Sequence, residues 1–188
     1  NRIYFNPAQL FILSFLTIIF LGSLLLMMPK ATYNGLSFID ALFTSASAVC
    51  VTGLAVVDTG TYFTVFGQSI LLILIQIGGL GILTFASYFS YFFKGGSTYE
   101  NQLTLSEMTN SQRIGGVFNT LKNIIVITVT VELIAAILIY VSLDDALVTN
   151  FVDKAFFSIF HAISAFCNAG FSTLSNSIYE VGFRFNYP

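Results

Sequence analysis

Tryptophan is absent from this chain. Histidine occurs once, cysteine twice and proline three times in 188 residues, and only 9% of the residues are charged. Each scarcity removes a class of answer. One histidine and two well-separated cysteines do not complete a four-ligand metal site. Two cysteines are also too few for a disulfide framework. A formal net charge of −2 offers no basic surface for a polyanion, so nucleic acid is excluded as a partner. With so little charge the chain is 56% hydrophobic, with a mean hydropathy of +0.85. A soluble core of this size cannot hide that much apolar surface, and the composition points to an all-α integral membrane protein surrounded by lipid. Without tryptophan, the 21 Phe and 9 Tyr are left to mark the membrane interfaces. There is no initiator methionine and no signal-peptide n-region, so Asn1 is expected not to be the native start.

The few charges bracket long apolar runs. Ala8 to Met28 carries none in 21 residues, and as a helix it spans about 31 Å, enough to cross a bilayer once. Pro7 suits its first turn, and Pro29-Lys30 closes it. Thr64 to Phe93 is a second helix of about 45 Å, longer than the hydrocarbon core, so it must tilt, project or bend. Gly78-Gly79-Leu80-Gly81 is the place for a kink or a close helix contact, and close contact is preferred over a gating hinge. Asn119 to Leu143 is the third crossing. Shorter helices are predicted over Leu36–Ser47, after the Asn34-Gly35 turn, and over Phe151–Ser164, which contains His161 as a buried polar anchor. Asp58-Thr59-Gly60, Lys94 to Gly116 and Ser175 to Pro188 are polar stretches. Gln76 and Glu132 interrupt apolar helices, and each is expected to hydrogen-bond to a neighbour. No basic residue is clearly placed to meet Glu132.

The chain also repeats itself. Ser45 to Leu54 and Ala162 to Phe171 align without a gap, so that Ser47 falls on Ser164, Ala48 on Ala165, Cys50 on Cys167 and Gly53 on Gly170. Each glycine stands three residues after a cysteine and six after a serine. Both segments are too short and too polar to cross a membrane, and each follows an apolar run and a short helix. A dehydrated monovalent cation needs several oxygens at once, and backbone carbonyls aimed at an axis supply them. Glycine reaches the backbone angles this requires and keeps the axis open. The neighbours Val51-Thr52 and Asn168-Ala169 are uncharged, so a ring of charged side chains is not the selectivity device. The two segments are read as ion-coordinating re-entrant loops of a potassium-type pore, each behind the C-terminal, partially negative end of a short helix. The two cysteines are read as small packing residues behind the loops.

This order of helix, short helix, Val49-Cys-Val-Thr-Gly-Leu54 and long helix, followed by a second unit with Ser164-Ala-Phe-Cys-Asn-Ala-Gly-Phe171, resembles the Trk/Ktr/HKT superfamily of potassium transporters, the Ktr branch above all. The resemblance covers essentially the whole chain. It implies four helix–pore loop–helix repeats in one polypeptide, each lending one filter strand. Here 1–93 would be the first repeat, 94–116 a cytoplasmic linker and 117–188 a second repeat lacking its last helix, so that the remaining repeats belong to a longer chain. The resemblance further implies that Val49, Cys50, Val51, Thr52 and Gly53, with Phe166, Cys167, Asn168, Ala169 and Gly170, line the potassium filter. It implies a homodimer and a cytoplasmic nucleotide-binding regulatory subunit as partners. K+ is the expected ion, with Na+ as a candidate coupling or activating ion.

Basic residues set the orientation. Arg2, Lys94, Arg113 and Lys122 fall on one face, against Lys30, Lys154 and Arg184 on the other, which puts the linker in the cytoplasm of a multi-pass protein of the cell membrane. Six carboxylates, among them Asp40, Asp58 and Asp153, would then gather cations outside. Two other readings stand beside this one. A sodium-selective or poorly selective relative is disfavoured by glycine in both loops. An intramembrane enzyme using Cys50, Cys167 or His161 lacks a base–nucleophile pair, and the two thiols repeat rather than complement each other.

Overall fold

The computed structural model describes residues 7–94, 115–143 and 150–175, and within these the chain is helical. Helix α1 spans Pro7–Leu26, α2 Phe38–Val49, α3 Thr59–Tyr62, α4 Val65–Lys94, α5 Gly115–Ser142 and α6 Phe151–Phe166. Of the predicted linker 94–116, Lys94 ends α4 and Gly115 and Gly116 open α5, while 95–114 lie outside the described residues, as do 176–188, Asp144 and Asp145. The chain divides into two compact units, one of Asn1–Gly79 with Glu132–Pro188 and one of Leu80–Val131.

Local chemistry fixes where the helices begin and end. α1 stops at Leu26, because a residue just before Pro29 is pushed out of the helical region. Ser37 caps α2: its hydroxyl accepts the Asp40 N–H at 3.2 Å and donates to the Asp40 carboxylate at 2.6 Å. Asp58 caps the single turn α3, accepting from the Thr61 N–H at 2.8 Å. That turn stands where the sequence reading placed a polar mouth. Thr64 caps α4 by accepting the Gly67 N–H, and its own hydroxyl donates to the Lys30 carbonyl at 2.6 Å. Together with the isolated bridge between Thr32 and Phe63, this ties the segment after α1 to the start of α4. α4 runs unbroken through Gly78 and Gly79.

In the first unit α2 lies directly against α1. Ser45 donates to the Ile19 carbonyl at 2.8 Å, and a Cβ on Gly22 would overlap the Ser45 hydroxyl and come within 2.9 Å of Leu74 on α4. The core gathers around Leu26, Val49, Phe63, Leu71, Ile75 and Phe160, each almost wholly buried. The lipid-type residues Ile12, Leu16 and Phe20 of α1 stay exposed. In the other unit the α5 residues Val126, Ile127 and Val131 are likewise exposed. Lys122–Ser142, 21 residues of α5, is long and apolar enough to cross a membrane.

Candidate functional site

α2 and α6 each run into a loop built on one plan. Cys50 and Cys167 are the C-caps, and their N–H groups donate to Ala46 and Ile163. The next residue donates three back, Val51 to Ala48 and Asn168 to Ala165. The residue after a further step donates five back, Thr52 to Ser47 at 2.9 Å and Ala169 to Ser164 at 2.7 Å. The backbone takes left-handed φ at two positions in each loop, +57° at Val51 and +74° at Gly53, +56° at Asn168 and +72° at Gly170. Glycine was expected there. A left-handed valine was not, because a β-branched residue pays for that conformation and keeps it only where its surroundings enforce it.

These hydrogen bonds fix carbonyl directions. No described peptide is cis, and a trans peptide points its C=O opposite to the next N–H. With the Thr52 and Ala169 N–H groups turned back on the helix ends, the carbonyls of Val51 and Asn168 point away from them. The Leu54 N–H is bound by the Ser47 hydroxyl at 2.7 Å, which turns the Gly53 carbonyl the same way. The Val49 carbonyl differs: it lies against Gly78 of α4, where a Cβ would overlap its oxygen and come within 2.8 Å of its carbon.

The two loops meet at their glycines. A Cβ on Gly53 would overlap the Ala169 carbonyl oxygen and sit 3.2 Å from the Gly170 Cα. Thr52, Asn168 and Gly170 are exposed, Ala169 is buried and Val51 half-buried. Beside the junction lies a cavity of about 380 Å³ lined by Gly53, Val57, Asp58, Gly170 and Ser172 among others. Behind it, His161 is fully engaged. Its Nδ1 donates to the Phe157 carbonyl at 2.9 Å, and Nε2 accepts from the Ser172 hydroxyl at 3.0 Å, which itself accepts the Leu174 N–H.

α4 supports both loops. Gly78 takes the Val49 carbonyl, and Gly79 takes Cys167, whose Sγ would be 2.6 Å from a Cβ there. Cys50, the counterpart of Cys167, is exposed, and Phe43 is 46% exposed where its counterpart Phe160 is wholly buried. One turn before Gly79, Gln76 donates to both oxygens of Glu132, at 3.0 and 3.1 Å. Each polar residue that interrupted an apolar run is thus the other's partner, and Glu132 is buried at 6% exposure. Gln76→Leu removes that donor from a buried carboxylate. It is expected to cost the full-length protein about 2 kcal/mol, read as a lower apparent melting temperature in detergent. The double variant with Glu132→Leu is expected to recover most of the loss.

Sequence reasoning missed Ser47 and Ser164 as working parts of the site. Their recurrence six residues before each glycine was the available signal.

The two loops share one plan and meet at their glycines. The chain belongs to the TrkH family of cation transport proteins, matched over residues 5–185. Among its relatives, the Ktr system potassium uptake protein B of Bacillus subtilis is 46% identical over 168 residues, 89% of this chain and 37% of the relative. The potassium/sodium uptake protein NtpJ of Enterococcus hirae is 37% identical, over 92% of this chain and 38% of the relative. The Ktr system potassium uptake protein B of Vibrio alginolyticus is 36% identical, with the same coverage of each. The chain therefore spans well under half the length of these relatives.

Proposed function

We propose that this chain contributes two filter loops to a potassium-uptake pore. The observation that carries the reading is the repeated pair of left-handed residues two positions apart, Val51 with Gly53 and Asn168 with Gly170. A left-handed conformation held at equivalent places in two copies, in the first at the cost of strain on Val51, is retained for a purpose, and the purpose it suits is turning main-chain oxygens toward a shared path. Cys50 to Gly53 and Cys167 to Gly170 line that path. Val49 and Phe166 belong to its supporting base. The polypeptide is a multi-pass protein of the cell membrane, with four such repeats, the loops re-entering from outside and further repeats facing the exposed Phe43 and Cys50. A homodimer and a cytoplasmic nucleotide-binding subunit complete the assembly. The protein transports rather than catalyses. K+ is the cargo, and the name of the Enterococcus relative supports Na+ as a second ion.

The test is growth. A strain without its own potassium uptake, expressing the full-length protein, is expected to grow at limiting potassium and to take up K+ in preference to Na+. Full expression at the membrane with no potassium-dependent growth would sink the reading.

A further inference from the structure

Ser47 and Ser164 occupy the same place in the two repeats, and both are buried at 4% exposure. They do opposite things. Ser47 Oγ accepts, from the Leu54 N–H at 2.7 Å and from the Thr52 hydroxyl at 2.9 Å. Ser164 Oγ donates, to the Phe171 carbonyl at 2.6 Å. The grip is therefore one peptide later in the second loop and of reversed polarity. In the first loop it holds the Gly53–Leu54 peptide with its carbonyl outward. In the second it holds the Phe171–Ser172 peptide with its carbonyl turned in behind the loop.

Without Ser47 the Gly53–Leu54 peptide has little to hold it. Gly53 lacks the Cβ that would restrict rotation, and the helix-end hydrogen bonds reach only as far as the Thr52 N–H. The Ser47 hydroxyl is what keeps this peptide from turning its oxygen away. We propose that Ser47 is the positioning residue for ion selectivity at Gly53: one buried hydroxyl, by binding the Leu54 N–H, sets the direction of the outermost oxygen of that loop. Ser164 has no such hold on the Gly170 carbonyl, so the two loops are unequal and selectivity is more sensitive at the first. The inference rests on the reading of these loops as a filter.

The experiment compares K+ and Na+ uptake by the full-length protein in cells lacking their own potassium uptake. Ser47→Ala is expected to lower the preference for K+ about tenfold, because it leaves the Leu54 N–H without its acceptor. Ser47→Thr, which keeps the oxygen, is expected to restore it. Replacing the Leu54 amide by an ester, through incorporation of the corresponding α-hydroxy acid, deletes the N–H while leaving Ser47 in place. It is expected to give the same loss, and it serves where Ser47→Ala does not accumulate. A part played in packing alone would reduce the amount of protein and leave the ion ratio unchanged. Wild-type ion ratios in the ester variant, with a shifted ratio in Gly53→Ser, overturn the proposal while the filter reading stands. Wild-type ratios in Gly53→Ser as well remove the filter reading and the proposal together.

Discussion

Gly53→Ser is expected to lower the preference for K+ over Na+ by about tenfold or more, whereas Gly170→Ser lowers it about threefold. Both glycines have left-handed φ, so either substitution carries a strain of about 1 kcal/mol. The difference lies in what the new side chain meets. At Gly53 a Cβ overlaps the Ala169 carbonyl oxygen and crowds the Ala169 carbon and Gly170 Cα at 3.2 Å. All of these are backbone atoms of the other loop, so relief requires moving one loop off the other. At Gly170 the nearest atom is the Gly53 Cα at 3.5 Å, an ordinary contact. Competitive uptake of K+ and Na+ by the full-length variants, corrected for protein at the membrane, measures both. Equal effects would contradict the tight approach at Gly53, and an unchanged ratio at Gly53 would remove the filter assignment.

The second large effect is expected behind the loops. Gly78 has ordinary helical geometry, so Gly78→Ala introduces no backbone strain and tests space alone. Its Cβ would overlap the buried Val49 carbonyl oxygen and lie 2.8 Å from the carbonyl carbon. The end of α2 must then move, or α4 must back away. Overpacking of this kind costs about 3 kcal/mol, and the variant is expected to melt several degrees lower in detergent and to transport poorly even where it folds. Gly35→Ala is the control. Gly35 has φ +75° and nothing within 4 Å of a Cβ, so it should lose only the strain, about 1 kcal/mol, with transport retained. Similar losses in both variants would show that the close fit against α2 does not set the requirement for glycine at 78.

Much of the helical frame was legible in the sequence, because apolar runs bounded by charge, proline and glycine leave little choice. Thr64 to Phe93 was predicted and Val65–Lys94 is observed. The ends moved where a specific hydrogen bond decides them. Ser37 starts α2 two residues later than expected, and α2 continues past Ser47 to Val49. α5 begins at Gly115, ahead of the expected Asn119, since glycines discourage a helix without forbidding one. At the site, the recurrence of serine, cysteine and glycine was visible. The left-handed Val51 was not, because valine is the last residue its own preferences would place there. The Gln76–Glu132 pairing was hidden for a different reason. It joins residues on separate helices, and periodicity reports which face a residue occupies but not who sits opposite. Phe43 and Phe160 occupy equivalent places in the repeat yet differ in burial, since equal sequence positions do not guarantee equal neighbours.

Gly78 and Gly79 are consecutive, yet each receives a different loop. Adjacent residues on a helix differ by about 1.5 Å in height and about a quarter-turn in direction, so a single rod is wedged into the notch where the two hairpins converge. A displacement of that rod is therefore expected to be felt by both hairpins rather than by one.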